Sequence, residues 1–187
     1  MRSLIIRIVI AVVVSMMTVA AAQPVVLPTV SFDNLSKDKV TLPADFHSDR
    51  NLLLLYFDLT QQPDIDNWNA AVDHWRATDS ALAAYTSLVS PQKNFLSRWW
   101  QNSSLRSALD DRARWATTVP LYVDKHAFKR KLDIGSEKQV IVLLLDRKGQ
   151  VLSRVEGPPT DSSRTAMTVA LRAAGSPLPA NGAASSR

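Results

Sequence analysis

The sequence predicts an α/β protein in which a mixed central sheet is covered by helices on both faces. Short, continuous apolar runs are typical of strands buried on both faces. These runs alternate along the chain with segments whose apolar residues recur every three or four positions, as on an amphipathic helix. The chain has 187 residues, of which 46% are hydrophobic, and this length fits one modest domain.

The amino-terminal segment has the layout of an export signal. Arg2 and Arg7 form a positive region, Ile8 to Val19 an apolar core, and Ala20 to Ala22 a small-residue cleavage site. A retained membrane anchor is the alternative, but the apolar run after Arg7 is shorter than the roughly 20 residues that span a bilayer. We therefore expect an exported protein, in the periplasm or secreted. The predicted domain organisation is a signal peptide over 1–22, a folded domain over 23–175 and a disordered tail over 176–187.

The first half of the domain predicts a hairpin, a buried strand and a long helix. Residues 31–45 combine turn formers with spaced apolar residues and predict a short hairpin or edge strands. Leu52 to Phe57 is a continuous apolar run and predicts a central parallel strand covered on both faces. Pro63 then opens a segment with an apolar stripe at helical spacing. The stripe consists of Ile65, Trp68, Val72 and Trp75.

The next segment predicts a second strand followed by a second helix. Ala83 to Val89 is the apolar stretch of the strand. Ser90 and Pro91 fit a helix N-cap and a proline at the first helical position. We expect that helix to continue through Trp100 and residues 101–116 to form a long connection.

The carboxyl-terminal half predicts two further strands, a hairpin strand and two helices. Each has a local signal: apolar runs for the strands, Asp124 as a helix cap, a tight turn before the hairpin strand, and Gly175 after the last helix. The predicted elements are a strand over 117–123, a short helix after Asp124, a strand over 140–145, a turn over 146–149, a strand over 151–155 and a helix over 160–174.

From Pro120 to Thr160 the sequence resembles the thioredoxin-like superfamily, specifically its AhpC/TSA-related branch. An Asp-x-x-Gly turn joins two strands ahead of the last helix, as in the carboxyl-terminal half of that three-layer fold. Within the superfamily the chain is most similar to cysteine-independent, exported YtfJ-type proteins of bacteria, and more distantly to a mitochondrial ATP-synthase assembly factor. The segments that carry the resemblance are Pro120–Asp124, Leu132–Gly135, Val140–Val151 and Gly157–Thr160.

The chain contains no cysteine. Disulfide exchange, peroxidatic cysteine chemistry, Cys-ligated zinc and iron–sulfur clusters are excluded, because each needs a thiolate. In redox-active members of the superfamily a cysteine follows the first central strand, which corresponds to residues 58–63 here, and a cis-proline lies beside it, at residues 137–139. This chain has neither the cysteine nor the proline at these positions. The resemblance therefore implies the fold but no catalytic residue and no cofactor.

A nucleophilic threonine and a histidine metal site are two further candidates for chemistry, and each has a simpler structural interpretation. Thr60 is the nearest replacement nucleophile, but its loop offers only Asp58 as a base, and a hydroxyl that caps the next helix is the simpler interpretation. His47, His74 and His126 are the only imidazoles, and no two have the spacing that places them on one helical face. We therefore predict no metal site.

Two surfaces remain as candidate binding sites. Phe95, Trp99 and Trp100 form a candidate partner surface, because tryptophan dominates binding hot spots. The alternative is that both indole rings pack under the connection that follows the helix. The second surface is a candidate cleft at the carboxyl ends of the parallel strands, where such folds bind ligands. This cleft would be lined by Asp58, Thr60, Gln61, Lys138 and Gln139.

The sequence thus predicts an exported, redox-inactive thioredoxin-like protein that binds another envelope or secreted protein, as a chaperone, assembly factor or accessory subunit. The alternative is a small-ligand binder or non-thiol enzyme that uses the cleft. The formal net charge is +5, and loss of Arg2 and Arg7 leaves 20 basic against 17 acidic residues, or +3. This mild charge argues against nucleic acid as a partner, and we expect no membrane span after signal cleavage.

Overall fold

The structure is a computed structural model and describes residues 24–92, 94–109 and 111–175. The predicted signal peptide over 1–22 and the predicted tail over 176–187 lie outside the described residues. The seven strands are β1 Val30–Asp33, β2 Lys39–Leu42, β3 Arg50–Tyr56, β4 Leu82–Pro91, β5 Leu121–Val123, β6 Ile141–Leu145 and β7 Val151–Glu156. The four α-helices are α1 Gln62–Thr78, α2 Phe95–Ala108, α3 Lys125–Lys131 and α4 Asp161–Gly175, and two 3₁₀ helices span Leu59–Gln61 and Arg112–Thr117.

Five strands form one mixed sheet in the order β5-β4-β3-β6-β7, and β1 and β2 form a separate antiparallel hairpin. The α/β architecture and the hairpin agree with the sequence-based prediction. β3 lies at the centre, as expected. It is parallel to β4 on one side but antiparallel to β6 on the other, so it is not a purely parallel strand. The carboxyl ends of β3, β4 and β5 meet at the same edge of the sheet.

The alternation of β3 divides the core between the two faces of the sheet. Leu53, Leu55 and Phe57 face the layer formed by the hairpin and α3. The intervening side chains of Leu52, Leu54 and Tyr56 face the layer formed by α1 and α4. Because both faces are covered, every residue from Asn51 to Phe57 is buried, which explains the continuous apolar run in the sequence.

The predicted stripe of α1 is the face that packs on the sheet. Ile65, Trp68, Val72 and Trp75 are all buried. The Trp68 ring is completely enclosed, and its indole N–H donates a hydrogen bond to the Gly157 carbonyl oxygen at 2.8 Å. α1 is therefore fixed both to the sheet and to the loop that follows β7.

The prediction that Ser90 and Pro91 begin a helix is wrong. Both residues continue β4 and pair with Tyr122 and Val123 of β5. The helix begins instead at Phe95, where the Asn94 side chain accepts a hydrogen bond from the Ser97 backbone N–H at 2.9 Å. Pairing with β5, far along the sequence, outweighs the local capping signal.

The predicted connection over 101–116 is also wrong in its first half, because α2 continues to Ala108. The strand predicted over 117–123 is shorter than expected, since residues up to Thr117 form a 3₁₀ helix. Asp124 caps α3 as expected, accepting a hydrogen bond from the Ala127 N–H at 3.1 Å. Within the three described stretches of the chain, no helix has the length and apolar character needed to span a membrane.

Candidate binding surface at the carboxyl ends of the parallel strands

The side chain of Gln61 fills the space between the loop after β3 and the loop before β6. Its amide oxygen accepts a hydrogen bond from the Phe57 N–H at 2.8 Å. Its amide nitrogen donates to the Glu137 carbonyl oxygen, also at 2.8 Å. With only 8% of its surface exposed, Gln61 joins the two loops at the carboxyl end of β3.

Asp58 and Thr60 form a local turn rather than a reactive pair. One Asp58 carboxylate oxygen accepts hydrogen bonds from the Thr60 N–H at 2.8 Å and from the Thr60 hydroxyl at 2.7 Å. These bonds, the backbone one first, hold the pKa of the Asp58 carboxyl below its usual range. A carboxylate whose pKa is lowered is a weaker base than an ordinary one, which argues against Asp58 as an activating base for the Thr60 hydroxyl. Asp58, and not Thr60, caps the 3₁₀ helix that follows.

Glu137 holds the other loop to α3 through two ion pairs. Its carboxylate contacts the ammonium of Lys125 and, at 2.9 Å, that of Lys129. These hydrogen bonds, with Lys125 the larger influence, keep the pKa of the Glu137 carboxyl below its usual range. The Lys125 ammonium also lies 5.6 Å from the centre of the Phe57 ring, a cation–π distance. Lys125 and Lys129 are thus both paired within the protein.

The residues of the predicted cleft do not line one open cavity. Asp58, Thr60, Lys138 and Gln139 are all exposed, whereas Gln61 is buried between the loops that the cleft would separate. The Lys138 N–H donates to the Ser136 hydroxyl at 3.1 Å, within its own loop. The structure brings Gln61 against Glu137. Asp58 and Thr60 contact each other in one loop, and Lys138 and Gln139 are exposed in the other.

α2 exposes its apolar residues. The exposed fractions are 83% for Phe95, 69% for Leu96, 55% for Trp99 and 69% for Trp100. The alternative in which both indole rings pack under the following connection does not hold, since that segment continues the same helix. We call these four residues the α2 aromatic surface.

The opposite face of α2, which is polar and cationic, packs on the protein. The Tyr122 hydroxyl donates to the Asn102 side-chain oxygen at 2.6 Å, and the Arg106 guanidinium donates to the Leu35 carbonyl oxygen at 2.7 Å. The guanidinium of Arg98 lies 5.1 Å from the centre of the Tyr122 ring. Leu105 is the buried apolar residue of this helix. An amphipathic helix normally buries its apolar stripe, and α2 does the reverse over its first two turns.

An apolar groove joins the α2 aromatic surface to the carboxyl ends of β3 and β4. Leu96 and Trp100 form one wall, and Phe57 and Leu59 lie across from them. The groove has a volume of about 630 Å³, within the range of roughly 300–1,000 Å³ that is typical of ligand sites. The predicted partner surface and one end of the predicted cleft, Asp58, thus border the same groove.

Within residues 24–92, 94–109 and 111–175, no group of three or more histidine and acidic side chains has the arrangement needed for a metal ion. His47, His74 and His126 are each exposed and lie on separate elements.

Sequence reasoning missed the structural role of Gln61 and the outward orientation of α2. Gln61 lies in the loop that was identified, but its partner Glu137 is 76 residues away, and no local pattern indicates that contact. A signal for α2 does exist, since Arg98, Gln101, Asn102, Leu105 and Arg106 recur at helical spacing. That stripe is the face that packs on the protein.

No protein-family model matches the sequence, and no curated protein matches it. Solved structures do match in fold. A thiol:disulfide interchange protein of the thioredoxin family from Chlorobium tepidum aligns over 83% of this chain and 99% of its own, with 12% identity and a TM-score of 0.54. BsSco, a member of the Sco family of cytochrome c oxidase assembly proteins, aligns over 81% and 94%, with 12% identity and a TM-score of 0.57.

The exposed lipoprotein thioredoxin of Streptococcus pneumoniae aligns over 78% of this chain and 99% of its own, with 10% identity and a TM-score of 0.52. At these identities the matches show the fold alone. The chain has a thioredoxin-like fold, and its sequence lacks the cysteines on which thiol–disulfide chemistry depends.

Proposed function

We propose that the protein acts outside the cytoplasm as a redox-inactive binding protein whose partner, another envelope or secreted protein, docks on the α2 aromatic surface. The observation that carries the proposal is the exposure of Phe95, Leu96, Trp99 and Trp100 on one helix. Clustered exposed apolar side chains mark interaction sites, and tryptophan is enriched among the residues that dominate binding energy.

The way α2 is held supports this proposal. Tyr122, Arg98 and Arg106 fix its polar face to the body, so the aromatic side chains are presented on a helix that is already positioned. A preorganised surface loses less conformational entropy on binding than a flexible one. The adjoining groove gives an apolar segment of a partner a concave place to bind.

Export is part of the proposal and rests on two observations. The sequence over 1–22 has the layout of a signal peptide, and a structural neighbour is an exposed lipoprotein thioredoxin. Another neighbour belongs to a family of assembly proteins, which is compatible with a chaperone, assembly or accessory role. The finer likeness to YtfJ-type proteins belongs to this proposal and rests on Pro120 to Thr160.

The alternative, a small-ligand site or non-thiol enzyme in the cleft at the carboxyl ends of the strands, has less support. Gln61 fills the space between the two loops, and Asp58 and Thr60 hydrogen-bond to each other. The residues of the predicted cleft do not line one cavity, whereas the α2 aromatic surface borders an open apolar groove.

The test is crosslinking in cells of the source organism, followed by direct binding of the identified partner to purified protein. We expect the double variant Trp99→Ala/Trp100→Ala to weaken the partner's affinity at least about thirtyfold, because the loss of even one hot-spot residue costs about 2 kcal/mol or more. Both side chains are exposed, so the fold should be retained.

The matched control is Val169→Ala, which shortens an exposed apolar residue of α4, 59% accessible, and should leave affinity unchanged. A partner that binds the double variant and the native protein equally would overturn the proposed surface. Turnover of a substrate by the purified chain would overturn the non-catalytic role.

A further inference from the structure

A second recess, distinct from the α2 aromatic surface, lies between α1 and the segment over 111–118. Its floor is formed by Tyr56, Ala84 and Thr86 of β3 and β4. One wall is the stripe of α1 that includes Asn69 and Val72, and the other is formed by Leu109 and by residues of the segment over 111–118. The short side chains of Ala84 and Ala113 leave room in it. Its volume is about 200 Å³, below the roughly 300–1,000 Å³ of sites for drug-sized ligands.

The floor of this recess offers hydrogen-bonding groups that the protein does not use fully. Tyr56 is 2% exposed, and within the described part of the chain its hydroxyl makes no hydrogen bond. The Thr86 hydroxyl lies 3.4 Å from the Asn69 side-chain oxygen, longer than the usual O–H···O range of about 2.5–3.0 Å. Since Tyr56 lines the recess, its hydroxyl is available there to a polar ligand.

The phenol stays protonated at any physiological pH. Burial, and to a smaller extent the charge of Asp66, raise the pKa of Tyr56 well above its usual range. A neutral phenol can both donate and accept a hydrogen bond. The floor therefore suits an uncharged polar group such as a hydroxyl or an amide.

The rim of the recess carries both signs of charge. The Arg114 guanidinium contacts the Asp73 carboxylate at 2.6 Å and the Asp111 carboxylate at 3.6 Å. One cation shared between two carboxylates leaves an excess of negative charge there. Arg76, one turn further along α1, also lines the recess, and within residues 24–92, 94–109 and 111–175 it has no ion pair. Among the described residues, the rim thus combines two carboxylates that share one cation with a guanidinium that has no ion pair.

We infer that this recess binds a free α-amino acid with a polar, uncharged side chain. The ammonium of the amino acid would face Asp73 and Asp111, its carboxylate would meet Arg76, and its side chain would reach the Tyr56 hydroxyl and Asn69. An α-amino acid carries an ammonium and a carboxylate a few ångströms apart, and this distinguishes it from a simple acid or a simple amine. The site is independent of the proposed protein-binding role, since no residue of the α2 aromatic surface lines it.

The test is an NMR titration of the full chain, labelled with ¹⁵N, with L-serine, L-threonine, L-asparagine and L-glutamine in turn, each to about 10 mM. At least one should give saturable shifts of the backbone amides around Val72, Thr86 and Thr117, with a Kd of about 1 mM or tighter. The absence of saturable shifts with all four, or shifts confined to other parts of the protein, would overturn the inference.

Two substitutions and one control test the roles of the lining residues. Tyr56→Phe removes only the unpartnered hydroxyl, and Arg76→Gln removes only the free cation; each should weaken binding about tenfold. Tyr85→Phe removes a hydroxyl that donates to the Asp45 carbonyl oxygen at 3.4 Å, outside the recess, and should leave the Kd unchanged. Unchanged affinity in both test variants would contradict the assignment.

The charge requirement is tested with analogues of the amino acid that binds. Its amide-capped form lacks the carboxylate and its deaminated acid lacks the ammonium, and each should bind at least about tenfold more weakly. Equal binding of either analogue would overturn the zwitterion assignment. None of these results depends on whether α2 binds a protein.

Discussion

At the carboxyl end of β3, one amide side chain, that of Gln61, holds two loops together by hydrogen bonds. The Gln61 side chain hydrogen-bonds to the buried Phe57 N–H and to the Glu137 carbonyl oxygen. Both backbone groups lie in loops, outside the hydrogen-bond pattern of the strands and helices. An amide is suited to this position because it offers both a donor and an acceptor without a charge. Gln61 therefore serves to hold the two loops together.

Replacing Gln61 by leucine tests this role. Gln61→Leu keeps an apolar side chain of similar size but leaves both backbone groups unpaired, so we expect the free energy of unfolding to fall by about 2 kcal/mol. Equilibrium urea unfolding measures the change. Gln139→Leu, at an exposed glutamine of the neighbouring loop, is the control and should change it by less than about 0.5 kcal/mol. Equal effects of the two variants would show that Gln61 is not a clamp.

The ion pairs of Glu137 predict a pH dependence of stability. Lys125 and Lys129 lower the pKa of this carboxyl in the folded state from its ordinary value of 4.5. Its stabilising effect is therefore fully present above about pH 4.5 and is lost as the pH falls through the lowered folded-state pKa. About a third of the side chain is exposed, so solvent screening limits the effect to about 1 kcal/mol.

Urea unfolding of the native protein and of Glu137→Gln between about pH 7 and pH 3 checks this sign. The difference in unfolding free energy between the two proteins should be constant down to about pH 4.5 and then shrink. The glutamine variant retains its backbone carbonyl, so the contact with Gln61 is unaffected. A difference that widens on acidification would contradict the assignment.

Among the elements, α1 and α2 use aromatic residues in opposite ways. α1 turns Trp68 and Trp75 into the core, where their ring centres lie 6.3 Å apart. α2 turns Trp99 and Trp100 outward and packs through Arg98, Asn102 and Arg106. The same residue type therefore serves folding in one helix and is available for binding in the other.

This contrast predicts opposite consequences for matched substitutions. Trp68→Phe loses ring volume from a fully enclosed site and the hydrogen bond to the Gly157 carbonyl oxygen, so the free energy of unfolding should fall by about 2–3 kcal/mol. Trp99→Phe and Trp100→Phe should each change it by less than about 0.5 kcal/mol. Urea unfolding again provides the measurement. A large loss of stability from either α2 variant would mean that α2 packs its aromatic residues after all.

For the whole molecule, the sequence predicted those elements whose signals are local. β3, α1, α3 and β6 follow from apolar runs, helical periodicity or a cap within a few residues. The end of β4 and the orientation of α2 could not be read in this way, because both depend on Tyr122, which lies in β5. The recess between α1 and residues 111–118 was missed for the same reason, because its walls are brought together only by the fold.

The distribution of tryptophan across the molecule gives a last prediction. The chain has five tryptophans: Trp68 and Trp75 are buried, Trp115 is half-buried, and Trp99 and Trp100 are exposed. Iodide, which reaches only exposed rings, should quench part of the native fluorescence. The double variant Trp99→Phe/Trp100→Phe should lose most of that quenchable emission and emit at shorter wavelength.

Repeating the quenching over a range of protein concentrations extends the test to self-association. Exposed apolar surfaces of this kind are covered either by a partner or by a second copy of the same chain. If the α2 aromatic surface is reserved for another protein, the quenchable fraction should not depend on concentration. A fraction that falls as the protein is concentrated would assign the surface to a homodimer, and quenching that survives in the double variant would show that α2 does not expose these rings.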